Sequence, residues 1–153
     1  MHSVTRIRIR APYERIFGLA AEVERWPQLL PHYRYVRPVP DPHGERRFAM
    51  GARRGRIPVS WEAVQRPLPE QRRIEFVHTG GVTRGMRVAW VFEPDGAAAG
   101  SSDVWNVAIH HDLELRWPLI GDLVARHVIG PQFIEAVAGR TLRRVKALAE
   151  AGS

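Results

Sequence analysis

The chain has no cysteine among its 153 residues. That absence excludes a disulfide framework, a thiolate metal site and a cysteine nucleophile. No apolar run approaches the roughly 18 residues that a membrane-spanning helix needs. The opening MHSVTRIRIR is charged and alternating, without the continuous apolar stretch of a signal peptide. No His/Asp/Glu spacing matches a recognised metal site. Nothing resembles a Ser-His-Asp arrangement, a phosphate loop or a dinucleotide fingerprint. The expectation is a cytoplasmic protein with no metal and no cofactor.

Acidic residues are in short supply: 16 Asp and Glu face 23 Lys and Arg, a net charge of +7. The basic residues are nearly all arginine and lie in almost every segment, which reads as a solvated basic surface and makes a nucleic-acid partner unlikely on this pattern. The densest local cluster is GARRGR, residues 51–56, a turn carrying Arg53, Arg54 and Arg56. An acidic carrier protein, RNA or an anionic membrane could dock there, and the sequence does not choose.

Hydrophobic content of 44% with 25% charged residues is that of a globular chain, and the length is that of one domain with a sizeable core. There is no internal repeat or low-complexity tract. The most linker-like stretch, DGAAAGSS at 95–102, sits between two strand patterns and reads as a hairpin loop.

Val4 to Arg10 alternates like a strand, with Ile7 and Ile9 on one face. Pro12 suits a first helical turn. Ile16, Phe17, Ala20 and Val23 then recur at helical spacing. Next comes ERWPQLLPHY at 24–33, where Pro27 opens a short turn and Pro31 closes it. Six strand patterns follow with short connections, which implies antiparallel pairing, since parallel strands need long crossovers. The chain closes with PQFIEAVAGRTLRRVKALAEA, where Ile134, Val137, Ala138, Thr141, Val145 and Leu148 form one stripe of a helix of about five turns. The fold class is α+β: a curved antiparallel sheet of seven strands wrapped around a long C-terminal helix, with two short helices after the first strand. One helix cannot cover such a sheet completely, so an apolar hollow is expected.

Three stretches carry a family resemblance: APYERIF at 11–17, VERWP at 23–27 and LLPHY at 29–33. With the Arg66-Pro67 break before Ile74-Glu75-Phe76 and the closing LRRVKALAE, the whole chain resembles the START-related superfamily of helix-grip proteins. That superfamily includes polyketide aromatase/cyclases, coenzyme Q-binding proteins and lipid-transfer domains. The resemblance implies one helix-grip domain over residues 1–153 and a hydrophobic small molecule, aromatic or polyketide-like, held in an internal cavity. It leaves three activities open: a polyketide cyclase/aromatase performing aldol cyclisation and dehydration, a non-catalytic lipid or quinone carrier, or a regulator similar to ribosome-association toxins. Under the first, an acidic acyl carrier protein is a candidate partner. The oligomeric state is not legible.

Strand parity puts Phe48, Met50, Trp61, Ile74, Phe76, Val88, Trp90, Trp105, Val107, Ile109 and His111 on the concave face. Trp26 from the elbow and the strand tryptophans suit a flat ligand, because large rings leave gaps and stack well on planar partners. By resemblance, Tyr33 and Arg66 fall where a tetracenomycin-type aromatase/cyclase has a pocket tyrosine and an essential arginine. An arginine in a dry pocket can hold an enolate or aldol oxyanion, and a phenol can relay a proton. Counting by twos from Trp61 nevertheless puts Gln65 inward, so Arg66 reaches the cavity only if a bulge intervenes or if Trp61 faces out. His111 is expected inside and His110 outside, with His32 and His78 at exposed ends. Thr141, the polar residue of the helical stripe, could bond a ligand or the carbonyl one turn back. The region 116–131 is expected to cover one mouth of the cavity.

Overall fold

The computed structural model describes residues 2–81, 83–96, 103–113 and 131–152. The region 116–130 and the loop residues 97–102 lie outside the described residues.

Strand β1 (His2–Arg10) is followed by helix α1 (Tyr13–Ala21), a 3-10 turn (Val23–Arg25) and the short α2 (Trp26–Leu29). Pro12 stands one residue ahead of α1, where its carbonyl accepts from the backbone N–H groups of Arg15 and Ile16. The strands β2 (Tyr33–Val39), β3 (Arg46–Arg54), β4 (Ile57–Leu68), β5 (Arg73–Gly81), β6 (Arg87–Pro94) and β7 (Val104–Asp112) follow, then helix α3 (Pro131–Ala151). The sheet order is β1-β7-β6-β5-β4-β3-β2, and every pairing is antiparallel. Consecutive strands are neighbours from β2 to β7, so hairpins alone build that run. The helical elbow carries the chain from one edge of the sheet to the other.

Two irregularities bend the sheet. One lies in β2 between Tyr33 and Tyr35. The other lies in the β4–β5 pairing, where Glu62 pairs with Gly80 but Ala63 with His78, leaving Thr79 as the extra residue on β5. Such a bulge raises local twist and bends its strand. Gly81 follows with φ +87°, and a Cβ there would sit 2.6 Å from the Ser60 carbonyl oxygen. Helix α3 packs on β1 and β7 and reaches across to β3. This is the helix-grip arrangement. No helix among the described residues is long and apolar enough to cross a membrane.

The core is continuous from α1 to α3. Ile9, Ile16, Ala20, Val23, Val107 and Ala149 have no solvent exposure. At the α1 end, rings fill the space under the sheet: Tyr13 lies 4.9 Å from Trp105 and 5.8 Å from Phe92, and Phe17 lies 5.4 Å from Phe92, centroid to centroid.

Candidate functional site

Away from those rings, α3 and the concave face enclose a cavity of about 70 Å³. Its elbow wall is Trp26 and Tyr33, packed edge to face at 4.9 Å. The Trp26 indole is fixed because its Nε1–H donates to the Leu19 carbonyl at 3.0 Å. Met50, Val59, Trp61, Phe76, Met86, Val88, Trp90 and Ile109 supply the sheet wall. Phe133, Ile134, Val137, Ala138 and Thr141 supply the helix wall. The lining is dominated by apolar and aromatic groups, as small-molecule sites usually are.

Two polar clusters interrupt it. In the first, His32 Nε2 lies 2.8 Å from Thr141 Oγ1, and that hydroxyl donates to the Val137 carbonyl at 2.8 Å. A hydroxyl has one proton, so the imidazole supplies the hydrogen of the first bond and carries it on Nε2. Thr141 thus makes the bond to the carbonyl one turn back and still faces the cavity. Burial, with Arg140 nearby, lowers the His32 pKa to about 4. The Tyr33 phenol is pushed well above its ordinary value by burial, an effect partly offset by the Thr141 hydroxyl beside it.

The second cluster lies on β5 to β7. His78 Nδ1 is 2.6 Å from Thr83 Oγ1, and the imidazole lies parallel to the Trp61 indole at a centroid distance of 5.6 Å. Burial lowers the His78 pKa to about 3, reinforced by His111. His111 falls to about 4, again through burial first and then through His110 and His2. Its Nδ1 is sealed from solvent and has no hydrogen-bond partner among the described residues. Both rings are therefore neutral near pH 7, each with one nitrogen able to accept a proton.

Ten of the residues singled out in the sequence meet at this cavity: Trp26, Tyr33, Met50, Trp61, Phe76, Val88, Trp90, Ile109, His111 and Thr141. Five do not, and of these Ile74 and Val107 are buried in the core off the cavity. Arg66 projects from the outer face of β4 with its side chain 60% exposed, and both its Nε and an Nη bond Glu45 Oε1. The reason is the position of the bulge: the extra residue is on β5, so β4 keeps its parity from Trp61 through Ala63 to Gln65. Gln65 is the inward residue, 2% exposed, tied to the Ala21 carbonyl and to Arg46. Trp105 faces inward but packs under Tyr13, with the Arg72 guanidinium over its ring. Phe48 is buried beneath Arg46, off the cavity.

His32 and His78, expected at exposed ends, are both buried. The signal for His78 was present: Ile74, Phe76 and His78 alternate on one face, and the extra residue comes only after them. Thr83, Met86 and Phe133 carried no comparable signal.

The chain's structure is similar to several solved ones. One is the Zhui aromatase/cyclase of a Streptomyces species, with a TM-score of 0.75, 18% identity and coverage of 98% of this chain and 93% of that one. Another is a protein of Thermus thermophilus, with a TM-score of 0.73, 22% identity and coverage of 97% of this chain and 99% of that one. A third is a START superfamily protein of Mycobacterium smegmatis, with a TM-score of 0.74, 13% identity and coverage of 99% of each chain. At such identities the likeness is one of fold. A search of curated protein sequences gives no match. The family profile described as polyketide cyclase / dehydrase and lipid transport matches residues 9–129. That span is most of the sequence, and the helix-grip fold agrees with it: the chain belongs to the polyketide cyclase / dehydrase and lipid transport family.

Proposed function

We propose that the cavity holds a hydrophobic, planar aromatic or polyketide-like molecule and that the chain acts on it as a cyclase/aromatase. One observation carries the catalytic part: two neutral imidazoles, His78 and His111, stand in an otherwise apolar cavity walled by Trp26, Trp61 and Trp90. A carrier needs only the apolar wall. Aldol closure needs a base to take a proton from the carbon between two carbonyls. The resulting carbanion attacks a second carbonyl carbon, its oxygen takes up the proton from the imidazolium, and loss of water completes the ring. Each ring is in the neutral form the first step requires; burial also makes it a weak base, and the attraction between imidazolium and enolate in a dry cavity is what offsets that weakness. In this reading Tyr33, protonated throughout, donates a hydrogen bond to the carbonyl oxygen under attack. Arg66 has no part in this scheme. In this reading the chain to be cyclised arrives on an acidic acyl carrier protein.

A pocket for a multi-ring ligand has roughly 300–1,000 Å³. The present cavity is far smaller, so binding requires side chains to move. Met50 and Met86, flexible and both in the cavity wall, are suited to that repacking.

The test is a titration with a hydroxylated anthraquinone, read by quenching of tryptophan fluorescence, beside turnover of a synthetic poly-β-ketone thioester. Binding with turnover that is lost in His78→Asn and His111→Asn supports the cyclase. Tight binding with no turnover above buffer refutes the catalytic part and leaves a carrier. No binding of either compound overturns the whole reading.

A further inference from the structure

Several arginines are paired with carboxylates: Arg8 with Asp95, Arg46 with Glu24, Arg47 with Asp41 and Glu62, Arg66 with Glu45, Arg73 with Glu75. Others have no such pair among the described residues, and four of these gather at one end of the sheet. Arg53, Arg54 and Arg56 surround the β3–β4 turn, and Arg84 sits on the β5–β6 turn beside it. No acidic residue occurs from Arg46 to Trp61 or from Phe76 to Phe92. Among the described residues, no ion pair joins any of these four arginines to a carboxylate.

The β3–β4 hairpin also overhangs its neighbours. The pairing of β4 with β5 begins only at Trp61, so Ile57 to Ser60 are paired with β3 alone. On the other side, β2 pairs with β3 as far as Ala52, and the last backbone bond runs from the Arg53 N–H to the His32 carbonyl at 2.8 Å. Four unshared residues extend the tip by about 13 Å at 3.3 Å per residue. At its end, next to Arg56 and across from Arg54, stands Ile57, the most exposed large apolar residue described, at 47%.

We propose that this tip docks the protein on an anionic phospholipid surface, with Ile57 entering the interface and Arg53, Arg54, Arg56 and Arg84 on the lipid phosphates. A guanidinium matches a phosphate in charge and in planar two-point geometry. An apolar side chain at the outermost point, among cations, matches the depth profile of a bilayer, where phosphates lie outside the acyl region. An acidic protein would satisfy the arginines but gives no reason for an isoleucine at the end of an overhang. The inner faces of the same two hairpins line the cavity through Val59, Trp61, His78 and Met86. Docking there brings the cavity beside the phase in which a water-insoluble guest dissolves. The proposal concerns the surface and holds whatever the cavity contains.

The test is co-sedimentation of the full chain with vesicles of phosphatidylcholine alone and of phosphatidylcholine mixed with phosphatidylglycerol. Binding to the mixed vesicles alone, weakening as salt is raised, is expected. Each cation near the surface contributes roughly five-fold, so Arg53→Ala, Arg54→Ala and Arg56→Ala together should weaken binding about a hundred-fold. Ile57→Asn should weaken it without changing the net charge at the tip, which separates insertion from plain attraction. All four positions are at the surface, and an unchanged melting temperature confirms that the variants fold. Inorganic phosphate at matched ionic strength should not release the protein from the vesicles; release would mean a free-phosphate site and would overturn the proposal. Equal binding to both vesicle types, no binding to either, or a preference for polyglutamate or RNA over mixed vesicles would overturn it as well.

Discussion

His78 makes a quantitative prediction about acid. Its imidazole is buried, bonded to Thr83 and stacked beside Trp61, and its pKa falls from 6.5 to about 3. Among the described residues, the titratable group acting on it is His111, itself neutral for the same reason. The unfolded chain binds a proton at this position below pH 6.5, and the folded chain does not until near pH 3. Stability is therefore untouched above that range and declines as pH falls through it. At about 1.36 kcal/mol per unit, lowering the pH from neutral to about 5 removes roughly 2 kcal/mol through His78 alone. Carried to the folded pKa, the loss is about 4 kcal/mol, comparable to the whole stability of many marginal domains. His111 adds in the same direction. The assay is urea unfolding near neutral pH and near pH 5, in the wild type and in His78→Asn, whose amide can replace Nδ1 towards Thr83. The variant starts lower, because the ring leaves a void. The difference between its two pH values should nevertheless be smaller than that of the wild type by about 2 kcal/mol. An identical difference in both proteins would refute the reasoning, and so would a wild type equally stable at both pH values.

Two further expectations follow from β4 and its neighbour. Arg66→Ala removes an exposed pair with Glu45 and should shift stability by less than about 1 kcal/mol while leaving anthraquinone affinity and turnover intact; a loss of turnover would return Arg66 to the reaction. Gly81→Ala forces a side chain into a left-handed backbone and against the Ser60 carbonyl, so unfolding should become easier by about 1–3 kcal/mol, measured by thermal denaturation. A neutral outcome would show that the bulge is not held by this glycine.

Alternation along the strands was enough to sort almost every residue onto a face, because the period of two follows from backbone geometry and survives any tertiary arrangement. The same logic ranked Gln65 over Arg66, and the structure agrees. The family's arginine position suggested otherwise, but a motif gives a place in the chain and not the side of the sheet. Parity could not place the bulge. A single extra residue on β4 would have turned Arg66 inward, whereas the extra residue is Thr79 on β5. Which strand carries it depends on the register of β4 against β5, which alternation within either strand does not show; the two glycines after Thr79 are the local mark.

Alternation also says nothing about depth along the concave face, and this is why Trp105 and Phe48 were grouped with Trp61 and Trp90. All four point inward. What separates them is where the cover on the opposite side ends. Tyr13 and Phe17 from α1 occupy the space over Trp105 and Phe92, so rings there pack against rings and leave no room. Beyond Trp90, which stacks at 6.2 Å on Phe92 and faces Trp26 at 6.1 Å, α1 no longer reaches. Among the described residues α3 lies opposite with Phe133, Ile134, Val137, Ala138 and Thr141, most of them smaller side chains. The cavity thus begins where the rings of α1 give way to the mostly aliphatic face of α3. A histidine is tolerated on that side because its neutral ring finds a hydroxyl or an indole, as His78 does. The Nδ1 of His111 finds neither among the described residues, and a buried polar atom left in that state is stabilised by whatever ligand can bond to it.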